Sequence, residues 1–236
     1  MTPMPSQVVA GAKQSIEQSG LYLVKDQDAE DQTQTEISTK GRQFALFYDA
    51  GYHTKTPEGL DFIIHNTLGD PVVGQIIRSF IPEPRWGYLR FFSDRLSSEY
   101  AWFFHIRDWN KEEEAVYTLV VQFWFPGSTV AYYNGSQSNS FNADDAENWG
   151  LLRTPTSNMD KEGITETVVD LPKGGYAIID SRLGWTCRHG KFINIAFGTD
   201  EEVATWAKMS LPDMEDLRSK VSKLQEQGFR LNFKFE

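Results

Sequence analysis

The sequence predicts a mainly β domain, a sandwich or barrel, with a helix at its N-terminal end and helices near its C-terminal end. Three observations predict it. Short apolar runs recur between Phe44 and Gly198, separated by Gly, Pro, Asn and Asp, the spacing of successive strands and turns. Aromatic residues make up 14% of the chain, with seven Trp and sixteen Phe, a composition that suits sheet interiors and apolar pockets. From about residue 200 to 228 the apolar residues change to a helical period.

The elements follow in order. "SQVVAGAKQSIEQSG" has a Ser cap at Ser6, apolar residues at Val9, Ala12 and Ile16, and a stop at Gly20, predicting a short amphipathic helix. "LYLV" follows as a strand. The polar "KDQDAEDQTQTEISTKGRQ" predicts a loop whose Asp26, Asp28 and Glu30 imitate a calcium site. Asp31 stands where that loop needs glycine and Ile37 where it needs its closing glutamate, so a solvated acidic loop is the better reading.

"QFALFYDAG", "GLDFIIHNTL" and "VVGQIIRSFI" read as β-runs, and "WGYLRFFSDRL", "YAWFFHIRDW", "AVYTLVVQFWF" and "STVAYYNGS" continue them. The stretch from Asn134 to Gly163 is long and polar, as lids and binding loops are. "ITETVVDL", "GYAIIDSR" and "KFINIAFG" complete the strands. The last two read as a hairpin whose bend holds Arg182, Trp185, Cys187, Arg188 and His189. "TDEEVATWAKM" and "LPDMEDLRSKVSKLQEQG" read as helices, the second with Met214, Leu217, Val221 and Leu224 on one stripe, and "FRLNFKF" as a final strand. With no internal repeat and no linker, one domain over residues 1–236 is expected.

Charge and cysteine content narrow the function classes. Lys and Arg total 23 against 33 Asp and Glu, a net charge of -10, which repels phosphate backbones and anionic membranes. Neither nucleic acid nor a membrane is an expected partner, and no run approaches the roughly 18 apolar residues of a membrane span. The single cysteine, Cys187, excludes an intramolecular disulfide and a thiolate metal cluster. With a polar start, "MTPMPSQ", a cytoplasmic setting is expected. The sequon at Asn134 reads as a turn.

The order of a helix, "GLYLV", many β-runs, "GSTVAYYNGSQS", "DLPKGGYAIIDSRL" and "INIAFG" resembles the phytanoyl-CoA dioxygenase-like branch of the iron and 2-oxoglutarate oxygenases, over roughly Ser6 to Gly198. The resemblance implies a double-stranded β-helix, or jelly roll, with ligand at its open end. It also implies iron held by a His-x-Asp pair and a distal His, with an arginine downstream for 2-oxoglutarate. The motifs depart from that pattern. Where the family has Pro-Gly-Ser-His this chain has Asn134-Gly135-Ser136-Gln137. His105 and Asp108 are one residue too far apart, and on a regular strand i and i+3 face opposite ways, so the pair would need a bulge to chelate one ion. Gly184 and Trp185 occupy the region of the distal His, leaving His189, and "HGKFINIAFGTDE" has no arginine.

A jelly roll without these ligands still offers an apolar pocket with a few polar groups. The first expectation is a cyclase or isomerase, Diels-Alderase-like, that uses neither metal nor cofactor and acts on an apolar natural-product intermediate by holding a near-attack shape. Gln122, His105 and Arg182 would donate to a carbonyl, and Trp102, Trp124, Tyr132, Tyr133, Trp185 and Arg188 would shape or grip the substrate. In "YTLVVQFWF", Gln122 shares a face with Thr118, Val120 and Trp124. Its amide needs a partner, either a ligand or another side chain.

An alternative keeps iron and 2-oxoglutarate, with His105, Asp108 and His189 as ligands and Arg182 or Arg188 as anchor. Another is a non-catalytic partner of an active oxygenase, docking by a sheet edge or by the C-terminal helices. A homodimer is compatible with each of these readings. His53 and His65 read as packing or surface residues, and Cys187, despite Arg188 and His189 beside it, as a packed thiol rather than a nucleophile.

Overall fold

The computed structural model describes residues 5–27, 39–93, 96–107, 115–146 and 149–236. The chain begins with α1 (Pro5–Ser19), β1 (Leu21–Lys25), α2 (Lys40–Asp49), α3 (Pro57–Asn66) and α4 (Val73–Phe80). It continues with β2 (Arg85–Ser93), β3 (Tyr100–Phe103), β4 (Thr118–Trp124), β5 (Ser128–Asn134), β6 (Asp144–Ala146), β7 (Leu151–Pro155), β8 (Thr165–Leu171) and β9 (Gly175–Asp180). Then come β10 (Gly184–His189), β11 (Lys191–Gly198), α5 (Asp200–Ala204), β12 (Met209–Leu211), α6 (Glu215–Glu226), β13 (Arg230–Leu231) and β14 (Phe233–Phe235).

Two six-stranded sheets carry the fold. The first runs β1-β9-β4-β11-β2-β13 and the second β6-β7-β3-β10-β5-β8. Successive strands alternate between them, β2 to β3, β4 to β5, β8 to β9 and β10 to β11, which is the winding of a jelly roll. The expected fold class therefore holds.

Every residue of β4 is buried, because both faces of its sheet are covered. Leu119, Val121 and Phe123 point outward into a core shared with Phe44 of α2, Leu60, Ile63 and Ile64 of α3, Ile76 and Ile77 of α4, and Leu217, Val221 and Leu224 of α6. Val120 and Trp124 point the other way, into a barrel core with Tyr132, Trp185 and Phe192. The alternation expected for "YTLVVQFWF" is thus the one observed.

Three runs expected as strands are helices. "QFALFYDAG", "GLDFIIHNTL" and "VVGQIIRSFI" fall largely in α2, α3 and α4. Their buried apolar residues sit at helical spacing, Leu60, Ile63 and Ile64 in α3, and Val73, Ile76 and Ile77 in α4. Thr56 caps α3 by accepting from Gly59 N at 3.1 Å, with Pro57 in its first turn. Packing on the sheet overrode the strand preference of their β-branched and aromatic residues.

The stretch from Asn134 to Gly163 is also more ordered than a lid. β7 pairs with β3, Trp102 opposite Arg153, and β6 pairs with β7, so the stretch covers what would otherwise be an open sheet edge. Phe141 lies 5.3 Å from Phe103 on the outer face of the second sheet. The expected hairpin from Ile178 to Gly198 is three strands, because the chain leaves the first sheet after Asp180, runs down the second as β10, and returns at Gly190. The apolar stripe of α6 is turned inward, while Met214, just before the helix, is 53% exposed. Among the described residues no helix is long and apolar enough to cross a membrane. Most of the calcium-like loop, from Asp28 to Ile37, lies outside the described residues. Asp26 is buried and accepts from Arg42 N at 2.8 Å.

Candidate functional site

The predicted site residues fall in four places. Gln122, Trp102, Trp124, Tyr132 and Trp185 form the interior of the barrel. His105 stands at its mouth. Arg182 lies in a neighbouring cleft, and Tyr133 and Arg188 lie on the outer face of the second sheet.

The barrel is filled. Trp124 stacks on Phe192 at 4.2 Å between ring centres, and Trp185 meets both edge-on, at 6.3 and 5.1 Å. Trp102 pairs with Trp185 across β3 and β10. These rings are core rather than a substrate wall, as their strand alternation dictates. Gln122 is fully buried and finds side chains as partners: its Nε2 donates to Asn194 Oδ1 at 3.1 Å, and its Oε1 accepts from the Tyr132 hydroxyl at 2.8 Å. That hydroxyl in turn accepts from Trp124 Nε1 at 3.1 Å. Burial pushes the Tyr132 phenol far above its ordinary pKa, and the bond from Trp124 only partly offsets it. The expected role of Gln122 as a direct substrate donor is corrected accordingly.

Arg182 is also committed. Its Nε and Nη2 grip the two carboxylate oxygens of Asp180 at 2.9 and 2.6 Å, both side chains buried. On the second sheet's outer face, Arg188 pairs with Glu166 at 2.6 Å, and Tyr133 accepts from Thr186 at 3.3 Å, beside a cavity of about 740 Å³. Arg182, Trp185 and Arg188 therefore do not converge. Cys187 is buried with its Sγ toward Gly190 O at 3.8 Å, the packed thiol expected. His53 and His65 are exposed.

The barrel mouth brings a different set together. Tyr88 and Arg90 of β2, Phe104 and His105 just past β3, Trp149 before β7 and Trp206 after α5 line a pocket of about 300 Å³. β3 ends at Phe103, so His105 lies beyond the regular strand whose alternation would turn it away from Asp108, and Asp108 lies outside the described residues. His105 Nδ1 lies 3.3 Å from Ser181 Oγ, and its Nε2 lies 3.2 Å from Glu202 Oε1. Trp206 Nε1 donates to the same Glu202 oxygen at 2.9 Å. Arg90 lies over the Trp149 ring at 4.5 Å, and the Tyr88 hydroxyl donates to Trp149 O at 2.6 Å.

Gly87 makes the close wall possible. A Cβ there would lie 2.5 Å from the Trp206 ring, and the register of β11 against β2 shifts at the same place. Burial drives the Tyr88 phenol well above the ordinary value, and the nearby Arg90 charge opposes that rise. Arg90, Trp149, Glu202 and Trp206 went unnoticed in the sequence because they come from separate segments; no spacing rule connects them.

Iron can be tested against these groups. His105 and Glu202 are ligand types within reach of each other. Among the described residues, however, no group of three His, Cys, Asp or Glu is placed to hold a metal ion. His189, the expected distal ligand, is exposed at the far end of β10 from His105. The described residues therefore do not compose the implied iron site.

A scan of protein families and a search of curated proteins find no match. Among solved structures, the chain is similar to apo HygX from Streptomyces hygroscopicus, with TM-score 0.51 and 10% identity over 88% of this chain and 93% of that one. It is similar to HygX with nickel, 2-oxoglutarate and hygromycin B bound, with TM-score 0.52 and 11% identity over 88% and 92%. A weaker likeness is to SnoN, a non-heme alpha ketoglutarate dependent epimerase from nogalamycin biosynthesis, with TM-score 0.47 and 10% identity over 82% and 84%. At these identities the likeness is one of fold.

Proposed function

We propose that the protein is a cyclase or isomerase of a small apolar natural-product intermediate, working in the barrel-mouth pocket without metal or cofactor. The observation that carries this reading is His105. Its imidazole sits at the edge of an aromatic pocket with Glu202 at 3.2 Å on one nitrogen and Ser181 at 3.3 Å on the other. With Glu202 on Nε2, the basic site of the ring is Nδ1, which takes a proton from one carbon of a bound substrate and returns it at another when the substrate displaces the Ser181 hydroxyl from it. Arg90 stands on the same wall to stabilise the charge that grows on a carbonyl oxygen. Tyr88, Phe104, Trp149 and Trp206 supply flat surfaces against which a polyene or ring precursor folds toward its reactive shape.

Burial of Leu217, Val221 and Leu224 counts against the alternative of a non-catalytic partner docking through the apolar stripe of α6. The proposal is tested by incubating chelator-treated protein with metal-free polyene intermediates and following ring closure or double-bond migration. We expect turnover unaffected by chelator and reduced about 10²–10⁴-fold in His105→Ala. Stoichiometric iron together with 2-oxoglutarate consumption that disappears in the same variant would sink the reading in favour of an oxygenase.

A further inference from the structure

We infer that Asn194 and Arg90 form a carboxylate-binding subsite at the floor of the mouth pocket, so that the substrate is an apolar acid. This rests on the reading of that pocket as the substrate site.

The direction of the buried hydrogen-bond chain makes the case. An indole N–H can only donate, so Trp124 Nε1, bonded to Tyr132 at 3.1 Å, uses the phenol as an acceptor. The phenol proton then goes to Gln122 Oε1 at 2.8 Å, and the Gln122 amide nitrogen donates to Asn194 Oδ1 at 3.1 Å. Turning the amides over would set two donors on the phenol oxygen and leave the phenol proton without its acceptor. The orientation of Asn194 is therefore fixed by the network, and the chain ends on its Nδ2. That nitrogen belongs to a side chain only 1% exposed and has no hydrogen-bond partner. A buried donor left this way is costly, and among the described residues none supplies its acceptor.

Its neighbour points to the kind of acceptor. Arg90 stands opposite Asn194 in the β2–β11 register. Phe92 of β2, and Phe192 and Ala196 of β11, at alternate positions, belong to the barrel core, so both side chains lie on the inner face. A guanidinium has no acceptor atom. Two donors side by side, one cationic, match the two oxygens of a carboxylate. Arg90 also lines the pocket, against the Trp149 ring, which leaves the apolar body of the acid to Phe104, Trp149 and Trp206.

The test titrates 2-naphthoate into the full chain, followed by tryptophan fluorescence and by the side-chain amide signals in a ¹⁵N spectrum. We expect saturable binding and a shift of the Asn194 amide signal, assigned by its loss in Asn194→Asp. Affinity should fall at least about tenfold in that variant and in Arg90→Met, and 2-naphthylmethylamine should not compete.

Absence of naphthoate binding, equal affinity in both variants, competition by the amine, or an unmoved amide signal as expected for a bound water alone would each overturn the subsite. The affinity of Arg90→Met and the amine competition decide the matter if Asn194→Asp does not fold. Binding without turnover of any acid would leave the subsite standing and count against the catalytic reading. Turnover of a neutral substrate, lost in His105→Ala, by a protein that binds no naphthoate would do the reverse.

Discussion

The two faces of the first sheet are built on different principles. Outward, β4 presents Leu119, Val121 and Phe123 to helices, and that core is nearly all hydrocarbon and aromatic ring. Inward, the same strand presents Val120, Gln122 and Trp124, and the rings there are threaded by amide and phenol groups bonded in one direction. The outer face needs shape and area. The inner face needs every partner present, since a half-satisfied polar network costs more than an apolar one. A jelly roll can therefore keep its scaffold role on one side of a sheet while the other side specifies chemistry.

The largest expected effect comes from the outer face. Phe123→Ala removes a fully buried ring that neighbours Phe44, and denaturant unfolding should register a loss of about 3–5 kcal/mol. Next comes Tyr132→Phe, which changes almost no volume but strips Gln122 Oε1 and Trp124 Nε1 of their partner. Its cost should be about 1–3 kcal/mol, and a much smaller loss would mean that the inner face is held by packing alone.

The same tyrosine sharpens the contrast with pH. Tyr132 and Tyr88 have folded pKa values raised by burial above the ordinary 10.0. The unfolded chain therefore loses those protons first. Stability from these groups is complete below that value and falls as pH rises above it. Denaturant midpoints from about pH 9 to 11 should drop less steeply in Tyr132→Phe. The smallest effect is expected at the surface: Arg188→Ala breaks a half-exposed pair with Glu166, and should change stability by no more than about 1 kcal/mol.

Much of the barrel was legible in the sequence, because strands covered on two faces read as the short, nearly continuous apolar runs of β4 and β11. The helices of the outer layer were not. "GLDFIIHNTL" and "VVGQIIRSFI" carry residues that favour strands, and only the positions of Leu60, Ile63 and Ile64, or of Val73, Ile76 and Ile77, betray the helix. Of the candidate site, His105 was legible as the nearest match to the His-x-Asp pair that the family resemblance implies, and Gln122 as an amide that must be satisfied. Glu202, which backs His105, and Trp149, which stacks on Arg90, are distant in sequence and meet only through the winding of the two sheets. Arg182 attracted attention by its charge, yet Asp180, two residues earlier, already holds it.

The first bond of the inner chain also makes the molecule its own clock. The indole proton of Trp124 is fully buried and donated to a hydroxyl that is itself buried. Exchange of that proton with deuterium requires the barrel to come apart as a whole. Its rate in a ¹⁵N spectrum therefore measures global opening directly, and any substitution at the mouth can be sorted by it. A variant that loses ligand binding while the indole proton exchanges as slowly as before has lost a contact, not the fold.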